Sequence, residues 1–177
     1  MPAISSLGHV GLYCSDLSAQ IEFYTGLLGL TKTDEDLENG LVFLSAQPEE
    51  EHHELLLVAG RNAGREARVV QQISFRCGSL EDVTGYYRRF VEHEVPLDMV
   101  VSHGNAVGVY FFDPEGNRCE VYWQTGLSAR QPYVQAVDLD DDPAAIVAAI
   151  EASVVRYGET GIVDREVLAR QDIGRAP

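Results

Sequence analysis

The feature that most constrains this chain is a pattern that occurs twice in its organisation, though hardly at all in its letters. An early strand-like run, "LGHVGLYC", is followed by "SD", a pair suited to cap a helix. Leu17, Ile21, Tyr24 and Leu28 then recur at steps of four, three and four, which places them on one helical face ending near Gly29. Two apolar runs, "LVFLSA" and "ELLLVA", come next, separated by the polar loop "QPEEEHH". The same order returns from residue 71. "QQISFRC" leads into "GSLED", where Ser79 and Asp82 have capping-box spacing. Leu80, Val83, Tyr87 and Phe90 continue that helix, and "LDMVVS", "VGVYFF" and "CEVYW" read as strands. A chain built this way reads as two similar modules, each a strand, a helix and two or three further strands, joined by the linker "AGRNAGREARV".

The boundaries follow: residues 1–60 for the first module, 70–126 for the second, and 127–177 for a C-terminal extension. In the extension, "DLDDDP" is an acidic helix start with Pro143 at the first helical position, and Ile146, Ile150, Val154 and Tyr157 share a face. This predicts a helix packed on the outside of a sheet. From about Gly158 the pattern is too weak to assign. The fold class is therefore α+β.

With 13 basic and 28 acidic residues, the net charge of −15 repels phosphate backbones and anionic headgroups, which argues against nucleic acid or membrane partners. No apolar run approaches the roughly 20 residues needed to span a bilayer, and the opening "MPAISSLGHV" lacks the basic and apolar regions of a signal peptide. A cytoplasmic protein is the expectation. Cys14, Cys77 and Cys119 are odd in number and widely spaced, as reduced thiols are, and Cys119 should face away from Glu120 by strand alternation.

Superposing the modules brings out polar residues at matching places. His9 in the first strand answers Gln72, and Glu54 answers Glu120, with His9 and Glu54 45 residues apart and Gln72 and Glu120 48 apart. Glu120 stands inside an otherwise apolar run, where a carboxylate is costly unless it meets a cation or a set of donors. If the modules pair about a pseudo-twofold axis, these four side chains converge between two sheets. Imidazole, amide oxygen and carboxylates suit a divalent ion such as iron(II), manganese, nickel or zinc, with positions left open for substrate. The amide of Gln72 is the poorest donor and has three open roles: weak ligand, holder of a water, or hydrogen-bond donor. The "EEEHH" segment beside Glu54 and His93 in "VEHEVP" read as solvated surface. His103, in "VVSHGNAVGVYFFDP", sits at a strand end beside Gly104, and Tyr110 follows in the next strand. A histidine and a phenol near a metal form an acid–base pair for a substrate that must lose a proton to bind.

The ordered segments "LGHVGLYCSDLSAQIEFYTGLLGL", "HHELLLV", "QQISFRCGSLEDV" and "SHGNAVGVYFFDPEGNRCEVYW" resemble the vicinal oxygen chelate superfamily, which includes glyoxalase I, extradiol dioxygenases, and fosfomycin and bleomycin resistance proteins. The resemblance covers about residues 5 to 125. It implies paired βαβββ modules forming an incompletely closed barrel, and a homodimer. The similarity to single-domain extradiol dioxygenases implies iron(II) at His9, Gln72 and Glu120, a catecholic substrate and O2, with His103 as acid–base and Tyr110 as hydrogen-bond donor. The departure is at Gln72, where the dioxygenase pattern has "HH" and this chain has "QQ". A set of His9, Glu54, Gln72 and Glu120 is also similar to glyoxalase-type isomerases and epimerases, in which Glu54 and Glu120 would be ligand and base. A metal-free small-molecule binder of the same fold is the third reading, with Phe43, Phe75, Tyr110, Phe112, Tyr122 and Trp123 available to line its pocket.

Overall fold

The computed structural model describes residues 6–64, 66, 67 and 70–169. It divides into two compact units: the residues up to Val69 together with Asp113–Gly116, and Val70–Phe112 together with the residues from Asn117 on. Each contains one mixed sheet, and the class is α+β as the repeat predicts. Linker residues 65, 68 and 69 lie outside the described set.

In the first unit, strand β1 (Val10–Cys14) leads to helix α1 (Leu17–Glu22), which runs on as a π-helical turn through Phe23–Leu27. Asp16 caps the helix by accepting the Ala19 N–H, so the "SD" signal works as read. Gly29, with φ of +79°, turns the chain out of the helix in a conformation that favours glycine. Strands β2 (Thr31–Asp36), β3 (Leu41–Ser45) and β4 (Leu55–Ala59) complete a sheet ordered β1-β4-β3-β2, with β1 parallel to β4. Leu12, Cys14, Val42, Leu44, Leu55 and Leu57 are buried, as are Tyr24, Leu27 and Leu28 of the helical segment. Full burial of such side chains contributes about 1.5–3 kcal/mol each. Strand β2, "TKTDED", is absent from the sequence reading because a polar edge strand carries no apolar alternation.

In the second unit, β5 (Ile73–Arg76) precedes α2 (Leu80–Glu92), whose N-terminus carries both halves of the Ser79–Asp82 capping box. Leu80, Val83 and Phe90 are buried on its inner face, and Phe90 lies 4.3 Å from Phe111, ring centre to ring centre. Strands β6 (Leu97–Ser102), β7 (Ala106–Phe112) and β8 (Arg118–Gln124) follow as expected.

The extension contributes more than the expected helix. It supplies β9 (Tyr133–Ala136), α3 (Pro143–Tyr157), β10 (Ile162–Val163) and α4 (Arg165–Ala169). The sheet order is β10-β9-β6-β7-β8-β5, so β9 is laid against β6 and closes its edge. Pro143 is at the first turn of α3 as expected, Asp142 caps the helix, and Ile146 and Ile150 are buried. Strands of four and two residues are too short to register as a period. Cys14, Cys77 and Cys119 are not joined in disulfides, and burial pushes Cys14 and Cys77 up to about 11.

Candidate functional site

Glu120 is 5% exposed, and the second unit shows what it meets. Pairing sets Tyr110 and Ser74 opposite it, one on each side, so all three lie in one row across β7, β8 and β5. Ser74 Oγ donates to Glu120 Oε2 at 2.6 Å, and Gln72 Nε2 donates to the same oxygen at 3.2 Å. The other oxygen lies over Gly108, where a Cβ would stand 2.4 Å from Oε1. Gly108 is thus the space into which the carboxylate fits.

The orientation of Gln72 follows from its second partner. Arg118 Nη1 donates to Gln72 Oε1 at 3.1 Å, so the amide presents oxygen to the guanidinium and nitrogen to the carboxylate. Of the three roles open to Gln72, this geometry is that of hydrogen-bond donor. Arg118 is held by Asp98 at 2.7 Å, and its Cζ lies 4.1 Å from the centre of the Tyr110 ring.

His103 and Tyr110 are brought together as their spacing suggested. His103 follows β6 immediately, and Gly104, with φ of +73°, turns the chain behind it. Its Nε2 is 3.0 Å from the Tyr110 hydroxyl and its Nδ1 is 2.8 Å from the Tyr133 carbonyl oxygen. Burial, and then the charge of Glu120, push the Tyr110 phenol well above its ordinary range, so it stays protonated and able to donate.

In the first unit His9 is exposed and stands just ahead of β1 rather than within it. Glu54 stands just ahead of β4, and its carbonyl accepts the Val10 N–H at 3.0 Å. The Glu54 carboxylate accepts from the Ala46 N–H at 2.8 Å and from Ser45 Oγ at 3.4 Å. His53, read from sequence as part of a solvated turn, is half-buried, with its ring centre 4.4 Å from that of His9 and 5.1 Å from that of Phe43. Burial, followed by the neighbouring His9 and His52, lowers its pKa. Its place one residue before Glu54, at the start of an alternating strand, was the available signal. Glu49, Glu50, Glu51, His52 and His93 are exposed as read.

Within neither unit do three His, Cys, Asp or Glu side chains come together around a common point among the described residues. The four matched residues are divided, His9 and Glu54 in the first unit, Gln72 and Glu120 in the second. In the second unit the Gln72 amide turns its nitrogen toward Glu120 and its oxygen toward Arg118.

Two glycines separate backbone cost from site cost. Gly85→Ala lies within α2 with nothing near its new methyl group and should stabilise by about 0.5–1 kcal/mol. Gly108→Ala should instead cost about 1–3 kcal/mol as Glu120 is forced off its seat. Urea midpoints of the two variants measure both signs.

Residues 6–121 match the model of the Glyoxalase/Bleomycin resistance protein/Dioxygenase superfamily, and the chain belongs to that family. Among solved structures it is similar to a lactoylglutathione lyase from Agrobacterium tumefaciens, at 25% identity and a TM-score of 0.55 over 69% of this chain and 96% of that one. A fosfomycin resistance protein from Listeria monocytogenes matches at 20% identity and 0.55, over 67% and 91%. A glyoxalase/dioxygenase from Nostoc punctiforme matches at 18% and 0.56, over 68% and 91%. None of the curated proteins matches this sequence. No helix among the described residues is long and apolar enough to cross a membrane.

Proposed function

We propose that the protein is an iron(II)-dependent extradiol dioxygenase acting on a small catecholic substrate and O2. The observation that supports this reading best is the contact of His103 Nε2 with the Tyr110 hydroxyl at 3.0 Å, a base paired with a buried phenol. Glu120 would be a ligand of the ion, and Gln72 and Ser74 would orient its carboxylate as donors. Bound iron(II) would supply chelation of both catechol oxygens and activation of O2.

The chain's own contribution is proton transfer. A substrate hydroxyl approaching Tyr110 passes its proton to the phenol oxygen as the phenol passes its own to His103 Nε2. The imidazolium so formed is stabilised at Nδ1–H by the Tyr133 carbonyl. Burial keeps the phenol neutral between transfers.

A second reading, a glyoxalase-type isomerase or epimerase, is favoured by Gln72 in place of the imidazole of the dioxygenase pattern and by the similarity to a lactoylglutathione lyase. In that case a carboxylate moves the proton and the His103–Tyr110 pair is dispensable. Protein reconstituted with iron(II) is expected to consume oxygen with catechols, and His103→Ala to lower turnover by roughly 10²–10⁴-fold with iron retained. Unchanged turnover in His103→Ala removes the base assignment. Bound metal without oxygen uptake, but with conversion of a glutathione hemithioacetal, selects the second reading.

A further inference from the structure

The segment from residue 122 on lies outside the family match, yet it meets His103 at two atoms. Gln131, ahead of β9, donates from Nε2 to the His103 carbonyl oxygen at 2.9 Å and accepts the Tyr133 N–H at Oε1 at 3.0 Å. One amide side chain therefore clamps the end of β6 to the start of β9. Tyr133, whose carbonyl faces His103 Nδ1, is itself fully buried, and its hydroxyl contacts Gln135 at 3.2 Å and Ser153 of α3 at 2.5 Å. Beyond the loop, Val134 and Val167 pack in the cluster that contains Val101 and Tyr110.

A carbonyl oxygen only accepts, so the nitrogen facing it must carry the proton. In neutral imidazole the other nitrogen is then the acceptor, and it faces the Tyr110 hydroxyl. We propose that Gln131 and the Tyr133 carbonyl, both from the C-terminal extension, are positioning elements of the site: they lock His103 as the Nδ1–H tautomer with Nε2 aimed at Tyr110. The extension is thus a working part of the site. This inference draws on the proposed acid–base role of His103 only for its effect on turnover. The tautomer stands apart from it.

The test uses the full chain labelled with ¹⁵N-histidine, and His103→Ala identifies the resonance by its loss. His103 is expected as a single Nδ1–H tautomer at neutral pH, with Nδ1 bearing the proton and Nε2 free of one. An Nε2–H tautomer overturns the inference. Gln131 is exposed, so Gln131→Ala should fold normally, populate both tautomers, and lower kcat for catechol-dependent oxygen uptake by about tenfold with little change in KM. Gln131→Glu, which keeps the acceptor for Tyr133 and loses the donor, should fall between the two. A variant spectrum identical to the wild type removes Gln131 as a positioning residue. If no catechol supports oxygen uptake, the proposed function fails while the spectra still decide the tautomer.

Discussion

Glu120→Gln is expected to abolish stoichiometric metal binding and to lower turnover more than about 100-fold, while leaving the folded protein at least as stable as the wild type. The carboxylate is buried among neutral donors, with Ser74 and Gln72 on one oxygen and Gly108 beneath the other. The nearby cation, Arg118, is committed to Asp98 and to the Gln72 oxygen. Nothing in that arrangement repays the burial of charge as an ion pair would, so an isosteric neutral amide costs the fold little. Elemental analysis after reconstitution with iron(II), together with a thermal melt, measures both halves. Full stoichiometry in the variant would remove Glu120 from the ligand set, and a collapse of the melting temperature would mark it as structural.

Glu115→Ala is expected to do the opposite, destabilising strongly through a residue that no part of the proposed chemistry uses. Glu115 is 1% exposed, in the "DPEGN" turn. It accepts the backbone N–H groups of Ser15 and Asp16, each at 2.8 Å, the Ser15 hydroxyl at 2.7 Å, and Arg61 at 3.2 Å. Truncation strands two backbone donors and removes the counter-charge of Arg61, which keeps only the carbonyls of Ala63, Gly64 and Glu115, a loss of about 3–5 kcal/mol. The exposed pair Lys32–Glu35 is the control, and Glu35→Ala should stay within about 0.5 kcal/mol. Burial alone would raise the Glu115 pKa, but the Asp16 and Ser15 donors and Arg61 outweigh it and hold the carboxyl below its ordinary range. A depressed folded pKa means stability that is present above the unfolded value and lost as pH falls through the folded one. The gap between wild type and Glu115→Gln in urea midpoint should therefore be widest near neutrality and narrow in acid. A constant gap across that range would show that the charge contributes nothing.

Glu120 and Glu115 lie five residues apart, and the sequence treats them differently. A carboxylate inside an apolar strand announces itself because its neighbours require burial. A carboxylate in a Pro-Gly turn gives no such signal, since turns are ordinarily solvated. His53 escaped notice for the same reason, as the half-buried end of a polar loop. Strand β2 went unread because an edge of charged residues has no period, and β9 and β10 because they are shorter than any period.

By itself the sequence determined the α+β class, the two matched modules, the caps at Asp16, Ser79 and Asp142, and the apolar faces of the helices. All of these rest on local free energies, of helix caps and amphipathic periods, that act within a few residues. Only the tertiary structure decided that the Gln72 amide turns its nitrogen toward Glu120 and its oxygen toward Arg118, and that Glu115 is an anchor. It also placed the Tyr133 carbonyl on His103. A buried polar group is settled by whichever donors and acceptors folding brings to it, and here those partners come from 30 to 100 residues away.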